Sequence, residues 1–315
     1  MSHTLNTFLD YYGRKIEDTL LLMLPFSEKP GTEKFNEAIN YAVFPSGKRM
    51  RPFFTLLAAK TVGGNPEEAI PMACAIEYFH TCSLIFDDLP AMDNALERRG
   101  RQPIHRVFGE DVAILAALAF LNQGYAIAAQ ISFIKNHRMK MRRLMREITI
   151  CIGPNGMIGG QFLDLWLKKD NDEKLRSESY FKTTSLMRLM LVVGAMIGGG
   201  NDNQINALAG IGEKLGTAYQ MLDDIVDVIE DCGSPEVLPV EIDIKILWQK
   251  AKQNLEDVHQ KLKVGIADCS PTLLIGFVDR IFGKIQKQAA DIFKENKWCY
   301  VPDQTTTRWV APRKR

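Results

Sequence analysis

"SLIFDDLPAMDNALERRG", residues 83–100, sets three aspartates and two arginines directly behind an apolar run. Ser83-Leu84-Ile85-Phe86 leads into Asp87 and Asp88, and Asp93, Arg98 and Arg99 follow. Carboxylates this close repel one another unless a cation sits between them. Upstream, residues 67–86 hold a nearly continuous apolar helical pattern, so the aspartates fall at the polar end of an oily helix. A helix apolar nearly all round belongs at the centre of a bundle or against a partner subunit. The fold class that follows is all-α.

The rest of the chain repeats the helical period, with almost no strand alternation. Helices are expected at 4–24, 32–42, 51–62, 110–131, 139–151, 155–168, 175–198, 203–230, 241–264 and 271–295. Pro45-Ser46-Gly47 and Gly63-Gly64-Asn65-Pro66 punctuate the early ones. Without repeats or a long linker, the reading is one bundle of about ten or more helices over 1–300, with a flexible tail at 301–315.

Lys plus Arg is 39 and Asp plus Glu is 38, a net charge of +1, so no global field points to nucleic acid. Six cysteines without a CxxC pair argue against structural zinc and a disulfide framework, and fit a reducing compartment. The N-terminus is polar and periodic, unlike a signal peptide. The longest unbroken apolar runs fall short of the ~20 residues a bilayer needs. A cytoplasmic protein with no integral membrane segment is expected.

A second acidic cluster lies in "YQMLDDIVDVIED", 219–231. Asp227 lies four residues after Asp223 and three after Asp224, so all three share one side of a helix. Met221, Leu222, Ile225, Val226 and Val228 fill the other. One acidic turn reads as solvated surface; two, spaced DDxxxxD and DDxxD, read as a pair of Mg²⁺ sites. Mg²⁺ takes oxygen ligands and binds through a few carboxylates plus substrate phosphates. Facing clusters of this kind suit a diphosphate leaving group, with a dry apolar pocket behind it for an allylic carbocation.

Basic residues form a separate set. "PSGKRMRP", 45–52, carries Lys48, Arg49 and Arg51, and Arg98 and Arg99 adjoin Gly100. His80 stands two turns before Asp87, and Lys182, Thr183 and Gln220 offer further phosphate contacts. Arginine forks suit phosphate oxygens and lysine supplies a point charge. Two anionic substrates are implied, one held through metal and one directly by cations.

These motifs resemble the trans-isoprenyl diphosphate synthases of the polyprenyl synthetase family. They occur in that family's order over 40–231: "GKRMRP", "EYFHTCSLIFDDLPAMDN" with "RRG", "GGQFLDL", "KTTSL" and "YQMLDDIVD". The resemblance implies the isoprenoid synthase fold, helices around a deep apolar cavity, and a homodimer. It makes Asp87, Asp88 and Asp93 one Mg²⁺ site and Asp223, Asp224 and Asp227 the other, binding an allylic diphosphate with Arg98. Gly47, Lys48, Arg51, His80 and Arg99 would bind isopentenyl diphosphate. Lys182, Thr183 and Gln220 would stand near the reacting centre. The implied reaction is ionisation, attack by the isopentenyl double bond and proton loss to the departing diphosphate.

Three features depart from the family pattern: Phe86 where histidine is common, Ala95-Leu96 where acids are usual, and "EDCGSPEVLPVEIDIK", which has no lysine before Lys245. Cys82 and Ser83, five and four residues before Asp87, are small. On the family's logic they leave room for a C20 product, geranylgeranyl diphosphate, with C15 next; Phe120 is a candidate wall lower down. A class I terpene cyclase would need both acid clusters but not the isopentenyl diphosphate cations. A non-catalytic partner subunit would more often have lost aspartates. The basic run 135–146 reads as a solvated helix face or as attraction to an anionic membrane.

Overall fold

Asn65 opens the helix that organises the molecule. Its side chain accepts the Glu67 N–H at 3.1 Å, Pro66 supplies the pre-set φ of a first turn, and Glu67 and Glu68 face the positive end of the helix dipole. The computed structural model describes residues 2–44, 47–131, 138–167, 180–230, 244–264, 266, 268–294, 299–300 and 309–310.

In chain order the helices are α1 (Ser2–Leu22), α2 (Glu33–Val43), α3 (Met50–Thr61), α4 (Pro66–Asp87), α5 (Ile104–Phe108) and α6 (Glu110–Gln130). Then come α7 (Arg138–Ile152), α8 (Met157–Leu167), α9 (Phe181–Ile197), α10 (Asp202–Glu230), α11 (Ile244–Val264) and α12 (Thr272–Lys294). The long expected helices form with ends shifted by a few residues, and the described part of the helix expected at 175–198 starts at Phe181. The short α5 was not foreseen, because five residues show no helical period. The expected tail contains Trp309–Val310, which pairs antiparallel with Cys299–Tyr300; the rest of 301–315 lies outside the described residues.

Helix α4 packs against α3, α6, α1 and α9, and α9 in turn meets α3, α7, α8 and α10. This is why both helices are apolar nearly all round. Two glycines bring α9 onto α3: a Cβ at Gly194 would stand 2.2 Å from the Thr55 carbonyl oxygen, and one at Gly198 2.6 Å from that of Ala59. Helices α11 and α12 close over α10, and α12 also reaches α1 and α3. By length and composition α4 and α6 could each cross a bilayer, which corrects the expectation that no apolar stretch was long enough. The apolar window of α4 is 78% buried inside the protein, so its oiliness serves the core.

The basic run at 135–146 is a helix face from Arg138 onward, and 135–137 lie outside the described residues. Arg143 is ion-paired with Asp202, and Arg146 stands 3.8 Å from Glu147.

Candidate active site

Asp87 and Asp88 end α4, where the chain turns back on itself. The Asp93 N–H donates to the Asp87 carbonyl at 3.0 Å, Asn94 to Leu89 at 3.0 Å and Ala95 to Asp88 at 3.2 Å. Asn94 takes a left-handed conformation, φ +48°, which asparagine tolerates better than most residues. The five-residue spacing from Asp88 to Asp93 is thus a closed loop that returns Asp93 beside Asp87. Asp87 and Asp88 are buried and Asp93 is exposed.

Cations already lean on these acids. Arg98 donates from Nε and Nη2 to one Asp88 oxygen, at 2.8 and 2.6 Å. Lys182 on α9 holds its Nζ 3.2 Å from Asp87 and 3.6 Å from Asp164 of α8. Burial raises the Asp87 pKa, and the ammonium of Lys182 opposes the rise.

The second cluster faces the same lysine-bearing helix. Thr183 donates to Gln220 Oε1 at 2.7 Å, and Gln220 passes a hydrogen bond to Asp224 at 2.8 Å. The Tyr180 hydroxyl donates to the other Asp224 oxygen at 3.2 Å. Burial still pushes Asp224 up to about 6, against these two donors. Asp223 is half-buried, and the Asp227 side chain lies outside the described residues, as do residues 231–243 with their missing lysines.

The third group centres on His80. Arg51 Nη1 lies 2.8 Å and Arg99 Nη2 3.4 Å from His80 Nε2. Guanidinium can only donate, so Nε2 accepts and the ring is neutral, with its proton on Nδ1. Arg99 and Gly100 both have positive φ, 56° and 80°, as a two-residue type I′ turn requires, and Arg98 and Arg101 pair across it. That turn aims Arg99 at Gly47, where a Cβ would stand 2.9 Å from the guanidinium carbon. Glycine at 47 is therefore a matter of space. Burial lowers the pKa of both Arg51 and Arg99 against the opposing charge of Glu77, with Arg99 lowering Arg51 further and Arg49, Arg98 and Arg101 lowering Arg99. An arriving anion would relieve that strain. Asp223 lies near enough for its charge to favour that of Arg51.

Burial, then Arg51 and Arg99, hold the His80 pKa well below 6.5. An unfolded histidine takes up a proton near 6.5, and the folded ring does so only well below it. The stability this difference confers is complete above about pH 6.5 and is lost as pH falls below it. His80→Gln keeps an acceptor and is expected to flatten this acid limb. Urea midpoints between about pH 7.5 and 5 measure it; an unchanged slope would mean that His80 does not cause it.

Lys48 is exposed at the rim. Arg49, grouped with it on sequence, is instead turned inward onto Glu17 and Glu77. Cys82 is buried and its thiol is pushed up to about 12, by burial and then by Asp87. Ser83 donates back to the His80 carbonyl at 2.8 Å. Phe120 packs at a tilt of 37° against Tyr78, whose hydroxyl donates to Leu20 of α1.

Asp164, Tyr180 and Gln161 escaped the sequence reading. Asp164 and Gln161 sit in the quoted "GGQFLDL", where the spacing of three was a usable signal. Both polar atoms of the Gln161 amide are buried with no hydrogen-bond partner among the described residues. Tyr180 gave no signal beyond its place before Lys182.

The family model described as polyprenyl synthetase matches residues 32–237. Geranylgeranyl pyrophosphate synthase, chloroplastic, from Catharanthus roseus is 37% identical over 220 residues, 69% of this chain and 59% of that protein. Heterodimeric geranylgeranyl pyrophosphate synthase large subunit 1, chloroplastic, from Arabidopsis thaliana is 39% identical over 201 residues, 62% and 54% of the two chains. The matched region thus spans less than two thirds of these relatives. Among solved structures, an FPP/GFPP synthase from Zymomonas mobilis is 26% identical with a TM-score of 0.77, over 89% of this chain and 100% of that one. A geranyltransferase from Legionella pneumophila, 24% identical with a TM-score of 0.78 over 92% and 99%, shares the fold.

Proposed function

Because the chain belongs to the polyprenyl synthetase family, we propose that it is a Mg²⁺-dependent short-chain prenyltransferase that joins isopentenyl diphosphate to an allylic diphosphate. Geranylgeranyl diphosphate is the product this reading favours. The observation that carries it is that α4 bears both sites: His80, 2.8 Å from Arg51, stands seven residues before Asp87, which Lys182 meets at 3.2 Å. One anion site built of cations therefore adjoins one built of acids, as two diphosphate substrates require.

The acid donors fit Mg²⁺. All are carboxylate oxygens, and among the described residues no three Asp, Glu, His or Cys side chains form a metal-binding group of their own. An open site of this kind suits an ion that binds through one or two carboxylates plus substrate phosphates. Asp87, Asp88, Asp93, Asp223, Asp224 and Asp227 would hold it. When bound, the metal supplies positive charge to the departing diphosphate.

The chain's own groups do the positioning. Lys182, already a bridging cation, is placed to take a phosphate oxygen of the allylic substrate, with Arg98 steadied on Asp88 beside it. Neutral His80 aims Arg51 and Arg99 at the second diphosphate. The buried apolar face of α4 keeps water from the allylic carbon. The departing diphosphate then takes the proton that restores the double bond.

Two further parts belong to the proposal. Ile114, Leu115 and Leu118 are 40%, 56% and 48% exposed on α6, an apolar stripe suited to a second copy of the chain. Sedimentation equilibrium checks the homodimer. Cys74, Cys82, Cys151 and Cys269 are free thiols, in keeping with a reducing, cytoplasmic setting.

The test is a product analysis with farnesyl diphosphate and Mg²⁺, with and without isopentenyl diphosphate. Geranylgeraniol after dephosphorylation, only when isopentenyl diphosphate is present, is the expected result. A cyclic hydrocarbon formed without it would mean a cyclase. Cys82→Tyr is expected to shorten the main product by about one isoprene unit, since a ring there stands only ~7.5 Å of helix rise from Asp87. An unchanged product spectrum would remove Cys82 from the tail's path.

A further inference from the structure

The turn that carries Arg98 and Arg99 is tied to α2 by one residue, Tyr41. The Tyr41 hydroxyl donates to the Gln102 carbonyl at 2.8 Å. Its own carbonyl accepts a hydrogen bond from Arg101 Nη2. Its ring lies under the Arg101 guanidinium, whose central carbon is 3.9 Å from the ring centroid, a cation–π contact. Phe108 of α5 meets the same ring edge-on, with centroids 5.4 Å apart.

The turn needs such a tie. It is closed by two backbone bonds between Arg98 and Arg101, at 2.7 and 3.3 Å, as an isolated pair outside any sheet. A lone hairpin of this kind is marginal in water. Arg99 sits at φ +56°, which a long side chain adopts reluctantly. Three guanidinium groups, Arg98, Arg99 and Arg101, also repel one another within four positions. Yet the turn must aim two of them at different places: Arg98 at Asp88, 2.6 Å away, and Arg99 at His80, 3.4 Å away. Tyr41 takes up the third guanidinium and leaves the other two to the sites. It also stands six residues before Gly47, whose lack of a side chain admits the Arg99 guanidinium. One short segment therefore holds the base of the turn and seats its tip.

Resting on the two-site prenyltransferase reading, we infer that Tyr41 and Arg101 are positioning residues for the diphosphate sites. The clamp between them fixes the turn, and the turn fixes Arg98 and Arg99. Their effect on substrate passes through those two arginines.

Calorimetric titration of the metal-free full chain with isopentenyl diphosphate tests this without turnover. Tyr41→Leu is expected to weaken binding about tenfold, ~1.4 kcal/mol. Tyr41→Phe keeps the ring under Arg101 and is expected to cost less. In an Arg99→Gln background, Tyr41→Leu is expected to weaken binding no further, because the arginine it positions is gone. A residue that only stabilised the fold would lower the melting temperature and the binding stoichiometry and leave the affinity as it was. If Tyr41→Leu does not fold, Arg101→Gln decides, with the same tenfold loss and the same silence in Arg99→Gln expected. Unchanged affinity in the deciding variant, or a loss that adds in full to that of Arg99→Gln, overturns the clamp and keeps the site reading. A wild-type chain that does not bind isopentenyl diphosphate overturns the site reading and the clamp with it.

Discussion

Asp87→Ala combined with Asp223→Ala is expected to remove diphosphate release from farnesyl diphosphate, lowering the single-turnover rate by about four orders of magnitude or more, ~5.5 kcal/mol of barrier. The two residues sit on different helices, α4 and α10, and both clusters look onto groups of α9: Lys182 at the first and, through Gln220 of α10, Thr183 at the second. Losing one group that stabilises developing charge costs roughly 10²–10³ in rate, and groups acting on one leaving group are not additive. Each single variant is therefore expected to cost roughly 10²–10³, and the pair need not equal their product. Rapid-quench release of labelled diphosphate measures this, with thermal melts confirming that the variants fold. Release that survives in the double variant would end the metal-site assignment for both clusters.

Arg49→Met is expected to leave the chemistry's residues in place and to destabilise the fold, by about 3–5 kcal/mol. Arg49 Nη1 reaches Glu77 at 3.0 Å, Nε reaches Glu17 at 2.8 Å, and Nη2 donates to the Val43 carbonyl at 2.9 Å. Glu77 is 2% exposed and would be left as a charge in the core. The backbone of Arg49 is left-handed, φ +44°, a strained conformation for a long side chain, and these bonds hold it there. Urea unfolding of Arg49→Met, Glu77→Gln and the double variant measures the coupling. The double variant is expected to recover part of the loss, because no unpaired charge remains. A loss below about 1 kcal/mol in Arg49→Met would mean that Arg49 is no internal tie.

Arg49 also marks where sequence reasoning stopped. Lys48, Arg49 and Arg51 stand within four positions, and residue type alone could not separate them. Their fates differ because α3 begins at Met50: Lys48 stays at the rim, Arg49 turns into the core, and Arg51 enters the first turn facing His80. Asp164 and Tyr180 were hidden for a related reason. Asp164 lies 76 residues beyond Asp88, and Tyr180 lies 44 before Asp224, so only packing of α8 and α9 brings them to the acids.

The sequence by itself determined the helical class, the approximate span of each long helix, both acid clusters and the cations that accompany them. Those are short-range properties: the apolar period fixes which face of a helix is buried, and spacings of three and four fix which acids share a side. Only the tertiary structure decided which cation serves which carboxylate, that His80 is neutral, and that glycine at 47 and 124 leaves room for the Arg99 and Phe79 side chains. Each depends on where two helices distant in sequence meet, and a difference of a few ångströms there reverses whether a residue binds a ligand, ties the core or fills it.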